Sequence, residues 1–170
     1  QLSGKYLNSN KDNISWSLDW QDFTQSFFNT IIRDHESEGV DFWWLDWQQY
    51  LTSPYTNSLS ETFWCNHVFF NEAQKRDNLR PVIFHRWGGL GSHRYQIGFS
   101  GDANISYEAL DFEPYFTATA SNVGYGYWGH DLGGHMYSND ELINNPHLVL
   151  RWIQFGVFTP IFRTHATADS

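Results

Sequence analysis

The chain has 170 residues, a length typical of one domain that can bury a hydrophobic core. Its formal charge is −9, from 19 acidic and 10 basic residues, and the basic residues form no cluster, which argues against nucleic acid as a partner. No apolar run approaches the length of a bilayer span, so the sequence contains no predicted membrane segment. Aromatic residues make up 19% of the chain and include nine Trp, an abundance that suggests a carbohydrate-facing cleft in addition to a core.

The two ends of the chain suggest that it is part of a larger protein. It begins with Gln1, and its last residues directly follow a polar motif. We therefore expect further sequence on both sides, and the absence of a targeting signal leaves the cellular location open. Cys65 is the only cysteine, which excludes an internal disulfide and predicts a small buried apolar side chain.

The first predicted elements are a loop, a helix and a strand. Residues 1–21 are polar and lack periodicity, which predicts a loop or insertion leading into the domain. Apolar residues recur at helical spacing from Phe23 onward, with Asp22 as a candidate cap and Gly39 as the stop. The mostly apolar run after Gly39 predicts a short strand, buried on both faces, that ends at Asp46.

Asp46 lies between Trp44 and Trp47. A charge at the end of a buried strand needs a partner or a substrate to offset the cost of its desolvation. A sugar site needs an ion for chemistry and flat apolar faces for pyranose rings, and this triplet supplies both. The alternative is that Asp46 caps the following turn.

The rest of the chain alternates between helical patterns and short apolar runs. Further helices are predicted over 59–78, over 107–123 and from Pro146 onward. Further strands are predicted over 81–85, 98–102, 125–131 and 160–165. The interval between the strands at 81–85 and 98–102 is too short for an ordinary crossover helix, which weakens a strict alternation.

Each predicted strand carries polar residues at or just beyond its C-terminal end. These residues are Asp46, Arg86, Asp102, Asp131, Arg163 and His165. This layout is typical of a (β/α)₈ barrel, an α/β fold whose active site lies at that face. Five of eight strands are visible, so we interpret residues 1–170 as a partial barrel and expect three strands and a helix outside this chain.

Two carboxylates in different surroundings are what retaining glycoside hydrolysis requires. One must stay ionised as the nucleophile, while the other must hold a proton for the leaving oxygen. In retaining enzymes the two carboxyl groups lie about 5–5.5 Å apart. Nearby arginine and histidine would bind sugar hydroxyls and stabilise the charge of the nucleophile.

Several motifs follow one another in a fixed order. They are Gly39-Val-Asp-Phe-Trp-Trp-Leu-Asp46, then Arg86, Arg94-Tyr95 and Gly101-Asp102, then Gly129-His-Asp131-Leu-Gly-Gly134, and finally Glu141-Leu142, Arg151-Trp152, Gln154 and Pro160-Ile-Phe-Arg163-Thr-His165. In order and spacing they resemble glycoside hydrolase family 31, the α-glucosidase and α-xylosidase family. The resemblance extends over residues 22–166.

The resemblance implies a retaining α-glycosidase that acts on an oligosaccharide or glycoside through a covalent glycosyl-enzyme and uses no cofactor or metal. It implies that Asp46 is the nucleophile and Asp102 the general acid/base. The residues that it assigns to substrate binding are Trp44, Arg86, Phe99, Asp131, Arg163 and His165.

The chain departs from the family pattern at two places near the substrate. After the nucleophile the family usually has Met or Phe and then Asn-Glu, whereas this chain has Trp47-Gln48-Gln49. The family usually has Trp two residues before the Gly-Asp of the acid/base, whereas this chain has Phe99-Ser100. These differences favour an α-sugar other than glucose, with α-galactosides and N-acetylated sugars such as N-acetylgalactosamine as candidates.

Two other classes of protein compete with this interpretation. A metal-dependent barrel hydrolase would use strand-end ligands such as His85, His130, Asp131, His135 and His165, although no His-x-His pair or ligand-spaced cluster occurs. A non-catalytic sugar-binding domain would explain the aromatic residues. It would leave the two strand-end aspartates without a purpose, because binding alone does not need a nucleophile and an acid.

Overall fold

The structure is a computed structural model that describes residues 16–46, 59–77, 79–86, 89–136 and 145–166. The chain divides into two compact units, of which the first comprises Gln1–Trp43 and Trp47–Pro81. The second comprises Trp44–Asp46 and Val82–Ser170. In the described part of the chain, no helix combines the length and the apolar character that crossing a membrane requires.

The first unit begins with a helical run made of three consecutive segments, α1 (Gln21–Phe27), a π-helical turn (Phe28–Ile32) and α2 (Arg33–Ser37). The predicted helix is thus confirmed. The predicted cap is wrong, because Asp22 lies inside the first turn, where its charge suits the helix dipole. Gly39 ends the run as predicted, with a positive φ of 118° that favours glycine.

Helix α3 (Glu61–Gln74) follows in the same unit and corresponds to the helix predicted over 59–78. Ser60 caps it by accepting a hydrogen bond from Phe63 N over 3.2 Å. Cys65 is buried as predicted, and burial raises the pKa of its thiol to about 12. Phe69 is buried and packs on Phe28 with ring centroids 4.9 Å apart.

Among the described residues, the sheet has four strands in the order β1 (Trp43–Leu45), β2 (Ile83–His85), β3 (Gln96–Phe99) and β4 (Tyr127–Gly129). β2 pairs with β3 in parallel, and β3 pairs with β4 in parallel. Four predicted strands are therefore present, each shorter than its predicted range. β3 begins two residues before the range predicted over 98–102 and ends before Asp102. Only a 3₁₀ turn (Ser92–Tyr95) lies between β2 and β3 in the described residues 89–95, which explains how so short an interval joins two parallel strands.

The segment predicted as a fifth strand, over 160–165, is not a regular strand. It forms isolated parallel bridges at Gly129↔Ile161 and Leu132↔Thr164. The main chain of Leu132 donates to Arg163 O over 3.2 Å and accepts from His165 N over 2.8 Å. The segment therefore lies beside the end of β4, where the sequence predicted a neighbouring strand, but pairs with it only at intervals.

Helices α4 (Tyr107–Asn122) and α5 (Pro146–Gly156) also lie in the second unit and agree with the predicted helices. Ser106 caps α4, and the side chain of Asn145 accepts from two main-chain N–H groups at the start of α5. A buried cluster lies between them, formed by Ala103, Ile105, Leu132, Leu148 and Trp152. Ile153, next to Trp152 in α5, is exposed.

The burial of β1 also differs from prediction. Leu45 is buried, but Trp44 on the opposite face is 47% exposed, so the strand is not buried on both faces. The strands lie next to one another in chain order, and they are parallel where their pairing is described. Polar residues follow each strand. This arrangement is that of a partial (β/α)₈ barrel. This is the fold class that the sequence predicts.

Candidate active site

The predicted site residues lie at one end of the sheet, and all belong to the second unit. Asp46 directly follows β1 and Arg86 directly follows β2, whereas Asp102 and Asp131 come two or three residues after β3 and β4. Because the carboxyl ends of parallel strands share one edge of a sheet, these side chains meet there.

Arg86 connects the two predicted catalytic acids. Its Nη1 donates to Asp46 Oδ1 over 2.6 Å, and its Nη2 lies 3.1 Å from Asp102 Oδ1. The guanidinium is buried, while the side chains of Asp46 and Asp102 are 25% and 15% exposed. One desolvated cation therefore holds two carboxyl groups from different strands, and both acids remain accessible to a ligand.

The side chain of His85 holds the main chain of Arg86. It is fully buried, and its Nδ1 lies 2.6 Å from Arg86 O. Burial lowers the pKa of the imidazole to about 4, although hydrogen bonds to the main chain at Arg86 and Ser92 act in the opposite direction. A neutral imidazole donates its N–H to the Arg86 carbonyl, so His85 has a structural partner at the position where sequence analysis considered a metal ligand.

Asp131 and Arg163 form a second pair, in which Arg163 Nη2 donates to the buried Asp131 Oδ1. Burial raises the pKa of the Asp131 carboxyl, and the charge of Asp102 adds to this rise. The charges of Arg163 and His165 and the hydrogen bond from Arg163 oppose the rise without cancelling it. His165 therefore lies close enough to Asp131 to interact electrostatically.

Three aromatic rings surround the guanidinium of Arg163. Its central carbon lies 5.1 Å from the ring centroid of Trp44, 5.3 Å from that of Phe99 and 5.6 Å from that of Phe84. Trp44 is the exposed member and offers an indole face at the site. Phe99 was predicted to bind substrate, but it has no exposed surface and packs beneath Arg163 and Arg86 instead.

His135 and His165 have ring centroids 4.7 Å apart in an edge-to-face arrangement. His135 is held by its main-chain N–H, which donates to Ala103 O over 2.7 Å. Sequence analysis considered His135 only as a metal ligand. Within the described ranges, no group of three or more His, Cys, Asp or Glu side chains is placed to share a metal ion.

Sequence analysis also missed a buried polar network directly behind the site, which involves Ser100, Glu113, Thr117 and His130. Glu113 and Thr117 lie in the middle of α4, where nothing in the local pattern distinguishes them from solvent-facing positions. The one available signal would have been a charged residue placed on the apolar face of an amphipathic helix. The predicted specificity residues Trp47-Gln48-Gln49, and Glu141-Leu142 of the family pattern, lie outside the described residues.

A parallel (β/α) barrel segment with three carboxyl groups just beyond its strand ends has the layout of a barrel enzyme's active-site face. Residues 4–170 match the family described as glycosyl hydrolases family 31 TIM-barrel domain, and the chain belongs to this family. The resemblance that the motifs predict is thereby confirmed.

Characterised relatives carry several different names. Sulfoquinovosidase of Escherichia coli (strain K12) is 27% identical over 157 residues, which cover 82% of this chain and 23% of the relative. Neutral alpha-glucosidase AB of Homo sapiens is 32% identical over 91 residues, 54% of this chain and 9% of the relative. Alpha-xylosidase of Saccharolobus solfataricus is 34% identical over 98 residues, which cover 56% of this chain and 13% of the relative. The chain thus spans less than a quarter of the length of each relative.

Solved structures agree on the fold. A family 31 alpha-xylosidase from a soil metagenome, complexed with xylose, superimposes with a TM-score of 0.70 at 22% identity, covering 91% of this chain and 25% of that structure. A xylosidase from Aspergillus niger gives a TM-score of 0.68 at 18% identity, covering 95% and 29%. At these identities the likeness concerns the fold alone, and it confirms the partial (β/α)₈ barrel.

Proposed function

We propose that the protein containing this chain is a retaining α-glycosidase in which Asp46 is the nucleophile and Asp102 the general acid/base. The observation that carries the proposal is the position of Arg86, which binds one oxygen of each carboxyl group at the catalytic end of the sheet. Membership of a glycosyl hydrolase family supports the same reaction class.

Arg86 contacts both acids, at 2.6 Å from Asp46 and 3.1 Å from Asp102, so one cation can offset the charge of whichever carboxyl group is ionised. The proposed mechanism begins with an ionised Asp46 and a protonated Asp102. In the first step Asp46 attacks the anomeric carbon, the glycosidic bond breaks, and Asp102 gives its proton to the leaving oxygen.

In the second step Asp102 takes a proton from water, the water oxygen attacks the anomeric carbon, and the ester bond to Asp46 breaks. Arg86 then faces one carboxylate throughout, because Asp102 becomes ionised as Asp46 becomes an ester. The guanidinium needs no other counter-ion during the cycle. Two inversions at one carbon retain the α configuration.

The sugar would lie against the residues around Arg163. Trp44 offers an exposed indole face of the kind that packs on pyranose rings. His165 and the pair of Asp131 and Arg163 would supply hydrogen bonds to hydroxyl groups. Phe99 would contribute by fixing Arg163 from below.

The sugar itself is proposed to be an α-sugar other than glucose, with a hexosaminide that carries an acetamido group as the leading candidate. The support is the departure from the family pattern at Trp47-Gln48-Gln49 and at Phe99-Ser100, where the buried Phe99 would act on the sugar through the position of Arg163. The names of the relatives already differ in the sugar they state, so family membership alone does not select one. Aryl α-glucoside, α-xyloside, α-galactoside and α-N-acetylgalactosaminide should be compared, and a clear preference for glucoside would contradict the proposal.

The catalytic assignment is tested in the full-length protein with two variants. Asp46→Ala should abolish turnover of every substrate, because no glycosyl-enzyme can form. Asp102→Ala should still form it from substrates with good leaving groups, but should hydrolyse it slowly. Added azide should then rescue Asp102→Ala and give an α-glycosyl azide. Rescue of Asp46→Ala with an α product would show that the two roles are reversed.

A further inference from the structure

The network behind the site is centred on His130, which directly precedes Asp131. The imidazole is fully buried, and its Nδ1 lies 2.8 Å from Glu113 Oε2 and 3.0 Å from Ser100 Oγ. Its Nε2 lies 2.9 Å from Thr117 Oγ1. Glu113 is buried as well, so four polar groups meet where an unpaired one would be costly.

The hydroxyl hydrogen of Thr117 determines the direction of its bond with His130. Thr117 Oγ1 donates to Glu113 O over 2.8 Å, because a carbonyl can only accept. Thr117 Oγ1 must therefore accept from His130 Nε2–H. The ring is then oriented with Nδ1 toward Ser100 and Glu113, and helix α4 fixes the ring from one side.

Ser100 connects this network to the proposed acid/base. Its main-chain N–H donates to Gly129 O over 3.1 Å, and its hydroxyl lies 3.0 Å from His130 Nδ1 and 3.4 Å from Glu113 Oε1. Only Gly101, with a φ of 90°, separates Ser100 from Asp102. A shift of Ser100 would therefore be passed to Asp102 through one tight turn.

We propose that His130 is a positioning residue which, through Ser100, holds the Asp102 carboxyl at the height of the leaving oxygen. Helix α4 supplies the support through Glu113 and Thr117. The proposal rests on the proposed role of Asp102. It adds four residues to the machinery of proton transfer without requiring any of them to touch the substrate, namely Glu113 and Thr117 of α4, Ser100 after β3 and His130 after β4.

The dependence on the leaving group separates positioning from a merely structural role. Protonation by Asp102 matters little for a nitrophenyl leaving group and greatly for an alcohol. A misplaced Asp102 should therefore lower kcat/KM mainly for poor leaving groups. A general loss of structure would lower kcat/KM for all substrates by the same factor.

Helix α4 offers a matched pair of variants. Thr117 and Thr119 each donate to the carbonyl four residues earlier, over 2.8 and 2.9 Å, but only Thr117 also meets His130. In the full-length protein, Thr117→Val should lower kcat/KM for alkyl glycosides by roughly 10-fold or more. Its kcat/KM for nitrophenyl glycosides should change by less than about twofold. Thr119→Val should change neither. Ser100→Ala, which removes the link itself, should behave like Thr117→Val.

Asp102→Ala is measured in parallel and should show the steepest leaving-group dependence. If Asp102→Ala shows none, the proposed role of Asp102 fails and the positioning proposal fails with it. A different outcome is that Asp102→Ala shows the leaving-group dependence while Thr117→Val and Ser100→Ala both lower kcat/KM by the same factor for every substrate, or leave it unchanged. In that case only the positioning proposal is overturned. Should Thr117→Val not fold, Ser100→Ala decides alone.

Discussion

Arg86 and Asp46 are joined both through their side chains and through the sheet. Nη1 of Arg86 donates to Asp46 Oδ1 over 2.6 Å, and the main-chain N–H of Arg86 donates over 3.0 Å to the carbonyl of Leu45, the residue before Asp46. The pairing of the strand ends thus sets the distance between the cation and the carboxylate before any ligand arrives. Such preorganisation is what a charged nucleophile requires.

Removing this cation should be costly for activity. Arg86→Gln leaves Asp46 and Asp102 without their shared partner, and kcat/KM for aryl α-glycosides should fall by roughly 10²–10³-fold. The matched control is Arg151→Gln, since Arg151 is exposed and bonds only to Gln154 in the described contacts. The control should stay within about twofold of the parent. A loss of less than tenfold in Arg86→Gln would contradict the bridging role.

Burial of His85 predicts a pH dependence of stability. Its pKa is about 4 in the folded protein and 6.5 ordinarily, so the unfolded chain takes up the proton first as the pH falls. The stability linked to this group is complete above pH 6.5 and is lost between pH 6.5 and 4, by an amount on the order of 3 kcal/mol. Urea unfolding at pH 7 and pH 4.5 measures it.

In His85→Asn the loss of stability on acidification should be smaller than in the parent by that amount. The control His147→Asn removes an exposed imidazole. The difference in the free energy of unfolding between pH 7 and pH 4.5 should be the same in this variant as in the parent. Equal acid sensitivity in the parent and in His85→Asn would show that other groups dominate.

Glycine at position 98 is predicted to be required by packing. A Cβ there would lie 2.7 Å from a ring carbon of Trp128 and 2.8 Å from one of Tyr125. Gly98→Ala should therefore lower the free energy of unfolding by about 1–3 kcal/mol. Gly126→Ala is the control, because nothing lies within 4 Å of its Cβ position. Thermal unfolding of both variants should show a lower Tm only for Gly98→Ala.

The pair of Asp131 and Arg163 should make stability respond to pH once it is broken. Arg163→Met removes the main charge that opposes the effect of burial, so the already raised pKa of Asp131 should rise further. The folded variant then favours the protonated acid, and its stability should fall as the pH rises. Relative to the parent, its free energy of unfolding, measured by urea unfolding, should be lower by about 3–5 kcal/mol at pH 8. The deficit should be smaller at pH 5.

The double variant Arg163→Met with Asp131→Asn tests the cause, because an amide cannot ionise. Its deficit should be the same at pH 5 and pH 8. A deficit of the single variant that grows on acidification would contradict the assignment to Asp131.

The positions of Asp46, Arg86 and Asp102 could be predicted because each comes at or soon after the end of a short apolar run that is typical of a strand. Strand ends in an α/β fold meet at one face, so chain order alone brought these residues together. Their contact through the arms of Arg86 could not be predicted, since it depends on side-chain rotamers and on the pairing of the strands.

Burial was predicted less well than position. Alternation in an aromatic run such as Phe42 to Leu45 does not reveal which rings will be covered, and Trp44 is exposed while Phe99 is not. The network of His130 with α4 was missed for a different reason. It joins residues 13 to 30 positions apart, and no periodic pattern in the sequence encodes such a contact.

The π-helical turn in the first unit has a consequence for the length of the chain. Phe28 and Ile32, its first and last residues, are both buried, while Asn29, Thr30 and Ile31 between them are exposed. Deleting one exposed residue would leave Phe28 and Ile32 three positions apart, and residues three or four apart share a helix face. The turn can therefore lose one residue, becoming ordinary α-helix, without turning either buried side chain toward water. At this point of the helix a natural length variant can arise without the loss of the core.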